Sequence, residues 1–163
     1  CSPIAPLHGA GWRLIVPDGH ARVFSDTLTA LDDAEFDCWQ IEAGEPAFGH
    51  ELSTEYIPLE ANLEHAISFK KGCYVGQEII ARMESRGRRA KQLRRIRLSN
   101  LVQAPAPITT TDGRDAGILT RAVISPAYGV IGLAYLKTAI GDDVPLVCAT
   151  AQVTRVDETW QEG

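Results

Sequence analysis

Hydrophobic positions recur with different periods in the two halves of the chain. Over residues 9–17, Trp12, Leu14 and Val16 alternate with Arg13 and Ile15, which predicts a strand partly covered on both faces. Pro17-Asp18-Gly19-His20 predicts the turn that follows. Ala21 to Phe24 reads as a second short strand and Ser25 to Leu31 as a helical turn or two. Asp32-Asp33 supply caps and negative charge for a helix from about Ala34 to Ala43. Its apolar line is Phe36, Trp39 and Ala43, while Glu35 and Glu42 share a different line with Cys38 near it. Gly44 and Pro46 end the helix. Residues 46–58 are rich in turn formers and predict a loop, with a short strand near Phe48. Leu63, His65, Ile67 and Phe69 alternate with polar or small residues and predict a strand. After a sharp change of direction at Gly72 and Gly76, Val75, Ile79, Ile80 and Met83 form one face of a helix over 75–85, which Gly87 stops.

Past Arg97 the helical period disappears. Pro105, Pro107, a hairpin-like Asp112-Gly113, Gly117, Pro126, Gly129, Gly132 and Gly141 punctuate β-rich runs. Those runs are 118–125, 130–135, 144–148 and 151–156. Short strands at regular spacing predict an all-β barrel or sandwich, with a domain boundary near residue 92.

Charge sharpens this division. Between Asp18 and Glu64 twelve acids face a single base, Arg22, whereas residues 82–97 hold eight of the chain's sixteen Lys and Arg against Glu84 alone. The overall charge of -5 argues against a protein dedicated to nucleic acid, but the basic block is a candidate phosphate contact through Arg86, Arg88 and Arg89. It lacks interleaved aromatics, so base stacking is not indicated. The alternative is a solvated helix end and strand.

Composition is ordinary for a globular protein: 45% hydrophobic, 23% charged, and no apolar run of about 18 residues, so no membrane span is expected. Cys1, Cys38, Cys73 and Cys148 show neither CxxC nor Cys/His spacing, so no metal site is expected. They are too sparse for a disulfide-stapled domain. A reducing cytoplasmic location follows, with an organelle matrix as the alternative.

The stretch Lys70-Lys71-Gly72-Cys73-Tyr74-Val75-Gly76-Gln77-Glu78 carries the sharpest candidate chemistry. A cysteine beside two ammonium groups and ahead of a helix N-terminus has its thiolate favoured. The opposing reading is a buried turn cysteine whose lysines simply face water. Glu42 sits near a helix C-terminus, where the dipole disfavours it. A carboxylate there can accept two parallel N–H bonds, such as a pteridine or guanine edge offers, or it is a solvated helix acid. No Ser/His/Asp constellation, Walker loop or dinucleotide fingerprint occurs, so a hydrolase or P-loop enzyme has no support.

Lys71-Gly72-Cys73-Tyr74-Val75-Gly76-Gln77-Glu78 closely resembles the KGCYxGQE signature of the YgfZ family, folate-binding proteins related to the aminomethyltransferase (T-protein) of the glycine cleavage system. Ile41-Glu42-Ala43-Gly44, Phe48-Gly49-His50-Glu51-Leu52 and Pro58-Leu59-Glu60-Ala61 resemble the motifs that lead into it. Gly117-Ile118-Leu119-Thr120 and Ser125-Pro126 resemble the family's terminal barrel. The resemblance implies a further N-terminal half, with the chain beginning inside the shared region. The aspartate credited with aminomethyl transfer lies in that half, so no residue here takes its role. Glu42 matches the pteridine-binding glutamate of the T-protein side, whereas Cys73 matches the YgfZ side.

The implied function is a tetrahydrofolate-binding accessory role in iron–sulfur cluster assembly or repair, affecting iron–sulfur enzymes that modify tRNA. Its partners would be iron–sulfur proteins or their assembly factors, with tRNA contact through the basic block. Cys73 would be the redox or transfer thiol, and Glu42, Lys70, Lys71 and Tyr74 the cofactor-binding set. The alternative is a folate-dependent aminomethyl or other one-carbon transferase, so whether a reaction is catalysed stays open. The expected fold class is α+β. Residues 1–92 would be the C-terminal portion of the folate-binding domain, a ferredoxin-like α/β portion, and residues 93–163 a small antiparallel β-barrel.

Overall fold

The computed structural model describes side chains over residues 28–73, 76–78, 80–81 and 89–156, together with Pro17 and the backbone of 2–4 and 11–13. Strand β1 (Ser2–Ile4) pairs antiparallel with β2 (Gly11–Arg13). The expected strand at 21–24, the turn at 18–20, and Val75, Ile79 and Met83 of the second helical face lie outside the described residues.

Helix α1 runs Asp33–Ala43, and local chemistry sets both of its ends. The Asp32 carboxylate accepts from the Glu35 amide at 2.8 Å, and the Glu35 carboxylate accepts from the Asp32 amide at 2.9 Å, a reciprocal capping box. Gly44 closes the other end in the left-handed conformation. The expected apolar line is not the buried one. Phe36 and Trp39 are 47% and 41% exposed, whereas Cys38, Ile41 and Glu42 are buried against the strands Asp115–Ser125 and Gly129–Lys137. The helix is turned by polar contacts that a hydrophobicity pattern does not register.

The loop expected over 46–58 forms and extends over 44–63, with an isolated bridge between Phe48 and Leu52 in place of the expected short strand. The strand expected over 63–69 does not form. Residues 64–66 make a short 3-10 turn, and Phe69 is exposed. Alternation alone cannot hold an extended segment that pairs with no neighbour among the described residues. Helical structure resumes at residues 77, 78, 80 and 81, where the Ile80 amide donates to the Gly76 carbonyl at 3.3 Å.

The second half is a closed six-stranded barrel. Its strands are β3 (Lys91–Leu98), β4 (Ala106–Thr110), β5 (Asp115–Ser125), β6 (Gly129–Lys137), β7 (Leu146–Cys148) and β8 (Ala151–Val156). Around the barrel the order is β3-β6-β5-β4-β7-β8, with every pairing antiparallel. Closure leaves no open sheet edge. Ile96, Leu98, Ile108, Leu119, Ala134, Leu136, Leu146, Cys148, Ala151 and Val153 fill the interior. Each fully buried Ile or Leu contributes about 1.5–3 kcal/mol.

β6 is apolar on both faces because both are covered. Ala134 and Leu136 point into the barrel, while Ile131, Leu133 and Tyr135 pack outward against Ile41, Ala61 and Leu93. Gly132 lies where the sheet closes tightly: a Cβ there would meet the Arg121 carbonyl oxygen at 2.6 Å and Leu119 Cδ1 at 2.9 Å.

Candidate functional site

The outer layer, α1 with the loop behind it, is tied to the barrel by a buried ion pair in addition to its apolar packing. The register between β5 and β6 shifts between Leu119 and Arg121, a bulge that turns both Thr120 and Arg121 toward the covered face. There they meet Glu51, which is 0% exposed. Arg121 Nη2 lies 2.9 Å from Glu51 Oε2, and its Nε donates to Oε1 at 3.2 Å. Thr120 donates to Oε1 at 2.5 Å, and the Ala47 amide donates to Oε2 at 3.0 Å. The remaining Arg121 N–H groups reach Asp37 and Gln40 of α1 and the Glu45 carbonyl, at 3.1–3.2 Å. The guanidinium therefore uses its whole donor fork, the condition under which a buried ion pair is tolerated.

This clamp places Glu42. Ser125 Oγ, at the end of β5, donates to Glu42 Oε1 at 2.5 Å, and the Cys38 thiol approaches the same oxygen at 3.5 Å. Ser125 Oγ also accepts from the Ala127 and Tyr128 amides at 3.1 and 3.0 Å, so one hydroxyl organises the β5–β6 turn and the carboxylate together. Burial, then the charge of Glu42 and the bond to it, push the Cys38 thiol up to about 11. Cys38 is thus a neutral donor at physiological pH, and Glu42 is a held carboxylate rather than a solvated helix acid.

Beside the C-terminal end of α1 lies a cavity of about 410 Å³, within the range of small-molecule sites. Ala43, Gly44, Asn62, Gln92, Arg94 and Arg95 are among its lining residues. Arg95 Nη1 donates to the Glu42 carbonyl at 3.3 Å, neutralising the negative end of the helix. The Glu42 side chain itself turns the other way, toward β5. A second, mostly apolar cleft of about 550 Å³ lies among residues 48–63, with Tyr56 on its wall. Tyr56 stacks on Tyr135 at 3.8 Å between ring centroids, and Lys91 Nζ caps the Tyr56 ring at 4.3 Å.

The signature turn is open to solvent. Lys70, Lys71 and Cys73 are all exposed, and the Lys71 amide donates to Ser68 Oγ at 3.2 Å. The buried-turn reading of Cys73 is therefore removed. Gly76 has φ +87, a left-handed conformation that L side chains rarely adopt, so the signature needs glycine to enter the helix. Tyr74, Arg86 and Arg88 lie outside the described residues. Arg89 forms an ion pair with Glu64, and its carbonyl accepts from the Thr138 hydroxyl.

The sequence did not point to Ser125 as the partner of Glu42, nor to Arg121 and Glu51 as the clamp. Only the i, i+4 spacing of Cys38 and Glu42 gave a local sign of one contact. The structure brings Glu42, Cys38 and Ser125 together, whereas Cys73 does not line the cavity at the helix end.

No family model matches the chain. A chloroplastic protein of Arabidopsis thaliana, provisionally named a transferase, is 34% identical over 143 residues, covering 82% of this chain and 33% of that protein. The tRNA-modifying protein YgfZ of Vibrio atlanticus is 30% identical over 147 residues, covering 83% of this chain and 45% of the relative. Among solved structures, the glycine cleavage system aminomethyltransferase T of Bartonella henselae superposes with a TM-score of 0.67 at 15% identity, over 77% of this chain and 38% of that one. The chain spans less than half the length of each of these proteins. No helix among the described residues is long and apolar enough to cross a membrane. The signature motif and these relatives make the chain a YgfZ-like protein, and its fold is shared with aminomethyltransferase T of the glycine cleavage system.

Proposed function

We propose that the chain is part of a tetrahydrofolate-binding accessory protein of iron–sulfur cluster assembly or repair, acting in the cytoplasm on iron–sulfur enzymes that modify tRNA. The observation that carries this reading is the exposed, free Cys73 in its KGCYVGQE turn, set against the buried Cys38 and Cys148. Lys70, Lys71 and Tyr74 flank that thiol and, with Glu42, form the proposed cofactor-binding set. One thiolate cannot hold a cluster alone, so the other ligands come from an iron–sulfur protein, an assembly factor or a second thiol carrier. Residues 1–92 are read as the C-terminal portion of a ferredoxin-like folate-binding domain, and 93–163 as the barrel domain.

For the folate, Glu42 is the proposed pteridine-contacting residue, its carboxylate positioned by Ser125 and Cys38. Contact with tRNA through Arg86, Arg88 and Arg89 belongs to the same reading and predicts steep salt dependence of tRNA affinity.

The test replaces Cys73 with alanine in the full-length protein. Folding and tetrahydrofolate affinity are expected to be retained, and rescue of a deficient iron–sulfur tRNA-modifying enzyme to be lost. Full rescue by the variant would overturn the role of the thiol. A second reading, aminomethyl or other one-carbon transfer, is favoured by the likeness of fold to aminomethyltransferase T together with the held carboxylate of Glu42. Turnover of a lipoyl-bound aminomethyl group by the full-length protein would establish it, and no turnover under conditions where aminomethyltransferase T works would exclude it.

A further inference from the structure

Strand alternation sends the cations of β3 to two different places. Ile96 and Leu98 point into the barrel, so Arg94 stands at an inward position of the same strand, next to the end where β3 begins. On β8, Ala151 and Val153 point inward, and Arg155 continues that row. Two arginines thus close one end of an otherwise apolar interior. Ile140, in the β6–β7 connection, packs against the core and lines the same end.

Arg94 and Arg155 both line a cavity of about 130 Å³ at this end, which adjoins the larger one at the helix end through Gln92 and Arg94. Gln92, Arg94, Lys137, Thr138, Asp142 and Arg155 contribute to its wall. Arg155 is anchored: Nη1 donates to the carbonyls of Asp142 and Val144 at 2.9 and 3.1 Å, and Nε faces the exposed Asp142 carboxylate at 3.4 Å. Its Nη2 is buried and meets no acceptor among the described residues. A buried guanidinium N–H left without an acceptor is costly, and an anchored arginine has already lost the rotamer freedom that binding would otherwise remove. Lys137 is neutralised by Asp115 at 2.6 Å, which leaves two guanidiniums against the single Asp142 carboxylate.

We propose that this barrel-end cavity is an oxyanion site that takes a phosphate group, held by Arg155 Nη2 and by Arg94. Its volume is roughly a third of that of the neighbouring cavity and suits one tetrahedral anion rather than a nucleobase or a pteridine. A free phosphate or an RNA backbone phosphate presents the same chemistry. The site does not depend on folate or on Cys73.

The experiment titrates the labelled chain with inorganic phosphate at matched ionic strength while following arginine Nε–Hε resonances by NMR. Saturable shifts are expected at Arg94 and Arg155, with affinity falling roughly ten-fold or more in both Arg94→Gln and Arg155→Lys. The lysine variant keeps the charge but loses the fork, and circular dichroism confirms its fold. Should the lysine variant unfold, Arg94→Gln alone decides, since Arg94 anchors no described residue. Shifts that chloride reproduces, that lie elsewhere, or that persist unchanged in Arg94→Gln would overturn the site. A parallel titration with a short single-stranded RNA separates the sources: movement of the same two resonances assigns a backbone phosphate, and movement with inorganic phosphate alone assigns a free anion.

Discussion

Arg121 and Glu51, seventy residues apart in sequence, form a buried ion pair with 2.9 Å between Nη2 and Oε2, and neither retains appreciable contact with water. The same guanidinium holds Asp37 and Gln40 of α1, so the pair sets which face of that helix meets the barrel. Glu42 is buried as a consequence, and Phe36 and Trp39 are left facing outward.

Replacing one partner should therefore cost far more than replacing both. Arg121→Met strands the Glu51 carboxylate in the interior, with an expected loss of about 3–5 kcal/mol. Urea unfolding of Arg121→Met, Glu51→Gln and the double variant measures this. Additive losses across the cycle would contradict a direct coupling.

At Ser125 one hydroxyl serves a carboxylate and two amides. Ser125→Ala is expected to lose about 1–3 kcal/mol of stability, since it strips a buried carboxylate of its short bond. If Glu42 also meets a pteridine, the same variant weakens tetrahydrofolate binding. Isothermal titration alongside thermal unfolding distinguishes the two effects, and unchanged affinity would detach Ser125 from the cofactor.

The three described thiols should differ sharply in reactivity. In a Cys1→Ser background, iodoacetamide followed by mass spectrometry should modify Cys73 first, with Cys38 and Cys148 reacting only on unfolding. Early labelling of Cys38 would contradict its burial.

Cys38 also predicts a pH dependence. Its folded-state thiol is raised from 9.0 to about 11, so the folded chain keeps a proton that the unfolded chain has begun to release. Its contribution is complete below pH 9 and declines as pH rises from about 9 to about 11. The stability advantage of the native protein over Cys38→Ala should narrow across that window. A constant difference would show that the thiol is not so perturbed.

Gly132→Ala tests the closeness of the barrel wall. The added methyl would meet the Arg121 carbonyl and Leu119, and a loss of about 1–3 kcal/mol is expected from overpacking. A neutral substitution would mean that β5 and β6 part at no cost.

Local chemistry made much of this protein legible. Asp32 and Gly44 mark the ends of α1 because caps act within a few residues, and the β-rich run from Ala151 to Val156 is a strand as the sequence indicates. The turn at Asp112-Gly113 joins β4 to β5 as the sequence indicates. The KGCYVGQE motif pointed to the family by residue identity alone. Tertiary structure decided what periodicity could not. It left residues 63–69 without a strand, and it turned the helix so that Cys38 and Glu42 are inside and Phe36 and Trp39 outside. It also divided one basic block between an arginine that caps a helix, a lysine stacked on tyrosine and an arginine at the barrel end. These outcomes rest on partners tens of residues away, Ser125 for Glu42 and Arg121 for Glu51. A buried polar group is placed by whoever satisfies its hydrogen bonds, and that identity is settled only when the chain has folded.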